Sequence, residues 1–299
     1  QPQPTGTQLL VRIAAAGVNF IETYQRSGAY KVTYPFTPGG EASGEVVATG
    51  PAASGFAPGD RVAFAEGSGT YAEFALVDAA KALPVPSGVD LETAAALPLQ
   101  GMTAHYLINS TFRVEPGHTV LTHAGAGGVG LLLIQLLKVK GARVITTVST
   151  DEKEMLARDA GADVVLRYDG FADATRELTD GTGADVVYDG VGKATFDGSL
   201  EALRTRGTLV LFGAASGAVP AFDLQRLNAG GSLHITRPKL ADYLLTAQER
   251  RWRSEELFSA VLDGSLKVRI GARYALADAA GAHGDLEGRK TTGKLLLIP

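Results

Sequence analysis

Three glycines, Gly125, Gly127 and Gly130, stand as G-x-G-x-x-G within the stretch GHTVLTHAGAGGVGLLLIQLLK, residues 117–138. With Gly128 between them they form a four-glycine turn that follows a short apolar strand (Val120, Leu121) and opens an apolar helix. That context makes the spacing a dinucleotide fingerprint. Gly125 is expected to permit the tight turn, Gly127 to let the backbone approach a pyrophosphate, and Gly130 to let the helix pack closely on its strand. The unpaired N–H groups and positive dipole end of the helix then face the phosphates. A plain glycine-rich loop is the alternative. Gly141 at the helix end and the buried strand that follows, Arg143 to Val148, favour the nucleotide site.

Charge bears on which nucleotide. Sites for NAD usually place a carboxylate roughly 20 residues past the turn, bonded to the ribose 2′-OH. Ser149 holds that place here, with Lys153 shortly after it. A hydroxyl and a cation accommodate a 2′-phosphate that a carboxylate would repel, so NADPH is the expected cofactor. For Lys153 alone a solvated helix face is the default. Asp151 lies close by and is read as an acid favouring the N-terminus of the next helix. Gly190, Gly192, Phe212, Gly213 and Ser216 fall just after the fourth and fifth strands, where a nicotinamide half is expected. Asp189 is either a loop-ordering acid or a cofactor neighbour, and His123 a structural or cofactor-neighbouring residue.

These residues need a scaffold, and from Thr119 the pattern alternates strand and helix. Strands fall near Val120, at 144–148, 164–166, 186–188, 209–212 and 233–235, with helices at 129–139, 152–160, 172–178, 194–203 and near Leu224. Six strands with five crossovers make a Rossmann domain, a doubly wound parallel sheet between helix layers. Before residue 90 the chain is strand and turn: 9–13, 43–48, 61–65 and 71–77, broken by Pro38-Gly39-Gly40, Gly50-Pro51 and Pro58-Gly59-Asp60. That predicts a mostly antiparallel module, a linker over 83–90, and a helix beginning at Leu91. After Pro238 a helix (254–262), a loop and a final strand (294–298) are expected, the last returning to complete the first domain.

Composition narrows the class. The 299 residues suffice for two domains, and 45% hydrophobic with 20% charged residues describes a globular protein. A net charge of −4 gives no general attraction to nucleic acid or anionic membrane. The chain has no cysteine, so it has no disulfide, no Cys-ligated zinc and no thiol nucleophile, and its five histidines show no metal-ligand spacing. The longest apolar run is too short to span a bilayer, and without a charged-then-apolar leader a cytoplasmic protein is expected.

The sequence resembles the zinc-free medium-chain dehydrogenase/reductases, specifically quinone oxidoreductases of the zeta-crystallin type. The resemblance rests on GVNFIETYQRSGAY (17–30), PGGEASG (38–44) with GDRV (59–62), the 117–138 stretch, VVYDGVG (186–192), LFGAASG (211–217), ITRP (235–238) and the closing TGKLLLIP. It implies a GroES-like catalytic domain, residues 1–100 and 239–299, joined to a Rossmann domain, residues 101–238. Family members open with two further strands, which the first domain is expected to lack here. Zinc-dependent relatives carry a cysteine ligand where Asn19 and Phe20 stand, so no metal is expected. By resemblance Asn19, Tyr24 and Tyr30 line the cleft between the domains near the nicotinamide, where an amide and two phenols could bond a quinone oxygen or donate a proton. Tyr24 packed in the domain core is the plainer alternative. Thr103, Lys153, Tyr168 and Arg237 match positions that hold the cofactor; an ordinary buried helix residue (Thr103) and a surface salt bridge (Arg237) are the alternatives. The implied activity is NADPH-dependent reduction of a small quinone. An alkenal or enone reductase, or a nucleotide-binding structural or RNA-binding protein without turnover, are the alternatives. The resemblance implies a homodimer; the acidic balance and absence of a basic, aromatic-interleaved stripe argue against RNA as the main partner.

Overall fold

The computed structural model describes residues 1–299, which divide into two compact units: residues 1–102 with 244–299, and residues 103–243.

The first unit is built on a seven-stranded sheet. Its strands are β1 (Gln8–Val18), β2 (Ala42–Thr49), β3 (Arg61–Phe64), β4 (Phe74–Asp78) and β5 (Leu83–Pro84), with the late strands β12 (Ile270–Ala275) and β13 (Lys294–Ile298). The order is β12-β13-β1-β2-β3-β5, with β4 also on β1, and only β12 and β13 run parallel. The long β1 pairs with three neighbours, so its apolar residues Leu9, Val11 and Ile13 sit at the centre of a core that also takes Val46, Val62, Phe64 and Leu297. Helices of this unit are α1 (Phe20–Arg26), α2 (Leu91–Ala96), α9 (Ala247–Leu262) and α10 (Ala279–Glu287); α3 (Pro98–Tyr106) opens on a proline, a favoured first helical residue.

The second unit carries the six-stranded sheet β11-β10-β9-β6-β7-β8, every neighbouring pair parallel. Its strands are β6 (Thr119–Thr122), β7 (Arg143–Thr147), β8 (Val164–Leu166), β9 (Ala184–Asp189), β10 (Leu203–Leu211) and β11 (His234–Thr236). The crossovers hold α4 (Gly128–Val139), α5 (Asp151–Asp159), α6 (Phe171–Glu177), α7 (Phe196–Glu201) and α8 (Gln225–Ala229). This is the doubly wound Rossmann order, and the glycine turn lies at its switch point, between β6 and α4. β6 and β9 run side by side with Val120, Leu121, Val186 and Val187 fully buried, as expected of strands covered on both faces.

Several elements differ from the sequence expectation. The helix expected over 194–203 ends at Glu201, because Leu203 already pairs with Ala184 of β9. The helix expected from Ser254 begins at Ala247, where the Thr246 hydroxyl caps the Glu249 N–H and the Glu249 carboxylate returns the bond. The loop expected after it contains β12 and α10, whose mixed, small and charged residues show no apolar period. The expected linker starts with a two-residue strand pairing with β3. No helix is long and apolar enough to cross a membrane.

Candidate active site

The expected cofactor residues gather at one edge of the parallel sheet. The glycine turn follows β6, Ser149 follows β7, Tyr168 follows β8, Gly192 follows β9, Phe212, Gly213 and Ser216 follow β10, and Arg237 follows β11. All are carboxyl ends, the place where open α/β sheets bind ligands. Thr103 lies elsewhere in this unit's chain, buried in α3.

In the turn, the division of labour among the glycines differs from expectation. The left-handed residue is Ala124 (φ 56°), not Gly125. Gly125 is needed for close approach instead, since a Cβ there would collide with the Thr146 hydroxyl on β7. At Gly130 a Cβ would strike the Ala124 carbonyl oxygen, so this glycine lets α4 sit down on the turn. Gly127 is the N-cap of α4 and has no side chain to cap with. The first-turn N–H groups, beginning with Gly128, have no intrahelical partner, and such an uncapped helix end takes an anion. The residues present therefore fit a dinucleotide pyrophosphate.

Around the second strand end, Ser149 is exposed and Thr150 caps α5, its hydroxyl accepting from the Lys153 N–H at 3.3 Å. Asp151 meets Arg167 at 2.5 Å, and Arg167 also meets Glu154 at 2.9 Å. A cation that no spacing singled out thus offsets the acid beside Ser149. Tyr168 is half-buried, its ring 6.1 Å from that of His123. Ser216 ties two loops together, donating to the Val191 carbonyl at 2.7 Å and accepting from the Ala194 N–H at 2.9 Å. Arg237 is exposed and donates to the Pro238 carbonyl at 3.3 Å, with no carboxylate paired to it.

Asp189 is a loop-ordering acid. It is fully buried; Oδ1 accepts from the N–H groups of Val191 and Gly192, and Oδ2 from the Thr195 and Ser199 hydroxyls, all at 2.7–2.9 Å. Because Ser199 donates to Asp189, it accepts from His123 Nε2 at 2.9 Å, which leaves Nδ1 to accept from the Thr147 hydroxyl at 2.8 Å. Burial pushes His123 down to about 4 against the pull of Asp189, so this imidazole is neutral and structural.

In the first unit, Asn19, Tyr24 and Tyr30 lie on and around α1. Tyr24 is half-buried with its ring 5.3 Å from that of Tyr30, which is 44% exposed. Asn19 is the N-cap of α1 and is 5% exposed, because its amide joins a buried cluster. Lys294 Nζ donates to Asn19 Oδ1 at 2.7 Å and pairs with Glu41 Oε2, while Asn19 Nδ2 donates to that same oxygen at 2.9 Å. The Leu99 N–H donates to Glu41 Oε1 at 2.7 Å. Gly17 makes room for the pair, since a Cβ there would collide with both partners. One N–H of the Asn19 amide remains beyond these bonds.

Glu22, also 1% exposed, accepts from the Asn19 N–H through Oε2 at 2.8 Å, and its Oε1 has no partner. Burial pushes its carboxyl up to about 7, although Lys294 pulls the other way. The side chain lines a cavity of about 640 Å³ together with Gln25, Thr33, Thr37, Ser68 and Leu99 among others. Sequence reasoning missed Glu22, Glu41 and Lys294. The N-x-x-E spacing of a capping box marked Glu22, but nothing local joins Lys294 to residues 275 and 253 positions earlier.

A Rossmann sheet with an uncapped glycine turn and a GroES-like β unit are the two parts of a medium-chain dehydrogenase/reductase. The family described as alcohol dehydrogenase GroES-like domain matches residues 5–87, and that described as zinc-binding dehydrogenase matches residues 128–248. A quinone oxidoreductase of Pseudomonas aeruginosa is 43% identical over 99% of this chain and 93% of its own length. A 2-haloacrylate reductase of a Burkholderia species is 40% identical over 99% of this chain and 92% of its own. The solved structure of mycobacterial Rv1454c complexed with NADPH superposes with a TM-score of 0.98 at 52% identity, covering 100% of this chain and 94% of that one. The chain belongs to the zinc-free quinone oxidoreductase family of medium-chain dehydrogenases/reductases.

Proposed function

We propose that this chain is an NADPH-dependent quinone oxidoreductase that reduces small quinones without a metal. The observation that carries the reading is the carboxyl edge of the parallel sheet, where the uncapped α4 and the Ser149, Lys153 and Arg167 group occur together. The NADPH complex of the mycobacterial relative supports the same choice of cofactor.

In this reading the first-turn N–H groups, Gly128 to Gly130, hold the pyrophosphate, with Gly127 letting it approach and Gly125 shaping the turn. Ser149 and Lys153 hold the 2′-phosphate, and Tyr168 flanks the adenosine. Thr103, Gly192, Phe212, Gly213, Ser216 and Arg237 surround the nicotinamide half. NADPH, when bound, supplies a hydride. The acceptor takes the cavity beside α1; Asn19, Tyr24 and Tyr30 lie on and around the same helix, outside the residues that line the cavity, and are the groups proposed to bond its oxygens or donate a proton. Quinones are already electrophilic, so orientation suffices where a Lewis acid is missing. We further propose a cytoplasmic homodimer with no nucleic-acid partner, the last supported by the net charge of −4.

A second reading, reduction of a conjugated enone or acrylate, is favoured by the similarity to a 2-haloacrylate reductase. Steady-state oxidation of NADPH and NADH with a naphthoquinone, an enone and 2-chloroacrylate separates the cases. Turnover of the quinone with NADPH preferred is expected. Preferred turnover of the acrylate would replace the first reading with the second. Tight NADPH binding with no turnover of any acceptor would overturn both.

A further inference from the structure

Among the side chains lining the cavity beside α1, Glu22 is the only ionisable one; the rest are apolar, glycine, threonine, serine or glutamine. Its immediate surroundings hold one ammonium, Lys294, and a second carboxylate, Glu41, which already takes that ammonium as a direct partner. Glu22 is left with neutral backbone N–H donors only, those of Asn19 and of its own residue, and its Oε1 is buried without a partner. A carboxylate so placed is poorly solvated, whereas the neutral acid is not penalised in the same way. The other charged or titratable groups facing it do not alter this balance. Tyr71 is raised by burial and by the charges of Glu22 and Glu41, so it remains a phenol. His283 accepts from Arg26 at 3.0 Å through Nδ1, since a guanidinium only donates, and burial with that cation lowers it; it is neutral. Arg26 itself is bound by Glu287 at 2.7 Å.

We propose that Glu22 sets the charge of the acceptor cavity, and that the cavity works with Glu22 as the uncharged acid. This rests on the proposed placement of the acceptor beside α1. A quinone taking a hydride becomes a hydroquinone monoanion before a proton from solvent completes it, so negative charge grows on the acceptor. An uncharged Glu22 tolerates that charge, and an acceptor that is anionic from the start; an ionised Glu22 opposes both. Glu22 donates no proton to the acceptor in this scheme. It acts as an electrostatic residue and as the anchor of the Asn19 backbone.

The test compares wild type and Glu22→Gln with 1,4-naphthoquinone and its 2-sulfonate across pH. In wild type, KM for the sulfonate is expected to rise by roughly tenfold as pH passes about 7, the effect of one charge several ångströms away in a protein-like dielectric. Turnover of the neutral quinone should decline over the same range. Glu22→Gln should keep the acid-side rates with both acceptors and lose this pH dependence. A rate lowered equally at every pH, with the wild-type profile kept, would mark Glu22 as purely structural, and a rate lost on the acid side alone would mark it as a proton donor; either would overturn the proposal. So would an unchanged sulfonate profile in the variant. Difference infrared spectra supply the readout independent of turnover: a protonated-carboxyl C=O band lost on alkalinisation and missing from Glu22→Gln. If neither quinone is reduced while that band titrates near 7, the proposed function fails and the charge assignment of Glu22 stands; no such band overturns the assignment itself.

Discussion

Replacing Lys294 by methionine should be among the most damaging single changes in the first unit. Methionine roughly keeps the length and flexibility of the side chain and removes its charge. Glu41, fully buried, would retain two neutral donors, the Asn19 amide at 2.9 Å and the Leu99 N–H at 2.7 Å, with no counter-charge. Asn19 Oδ1 would lose the ammonium's bond in the same step. Removing one partner of a buried ion pair costs about 3–5 kcal/mol, mostly from stranding the other charge. Neutralising both in Lys294→Met/Glu41→Gln should therefore recover much of the loss, with the double variant well above the sum of the two singles. Urea unfolding followed by fluorescence is the assay. The only tryptophan, Trp252, lies on α9 in the same unit as the cluster, so its signal reports on the right part of the chain. A Lys294→Met cost below about 1 kcal/mol, or strict additivity in the double variant, would refute the reasoning.

Three further outcomes are expected. The native state holds Glu22 protonated up to about 7 against an ordinary 4.5, so this group's contribution to stability is full below 4.5 and is lost as pH rises through 7, about 3 kcal/mol in all. Stability measured across that window should fall less steeply in Glu22→Gln. Gly130→Ala drives a methyl into the Ala124 carbonyl and should cost about 1–3 kcal/mol by thermal unfolding while weakening NADPH binding in a fluorescence titration. Lys153→Ala should raise the KM for NADPH by roughly tenfold or more, the loss of a charge-assisted bond, and leave that for NADH nearly unchanged. Equal effects on the two cofactors would remove Lys153 from the 2′-phosphate site.

What could be read from the chain were features whose causes are local. The Rossmann order follows from strands and helices that alternate within short distances, each marked by apolar period and glycine stops, and the glycine turn announces itself at the junction of β6 and α4. Even there the roles within the turn were not legible. That Ala124, and not Gly125, takes the left-handed conformation depends on how near β7 brings Thr146. The late elements β12 and α10 were hidden because their residues are mostly small or charged, with few large apolar ones, and are selected by their neighbours, not by a pattern of their own.

The sequence by itself determined the fold class, the zinc-free character suggested by a chain without cysteine, and the residues that the parallel strands carry to their carboxyl ends. Only the tertiary structure decided the chemistry around α1. Asn19, Glu41 and Lys294 meet because β13, at the far end of the chain, pairs with β1 and brings its first residue beneath the α1 N-terminus. The charge state of Glu22 follows from that meeting, since burial and the allotment of one ammonium between two carboxylates are properties of packing. A linear spacing rule cannot express them, because they depend on what the rest of the chain leaves unpaired.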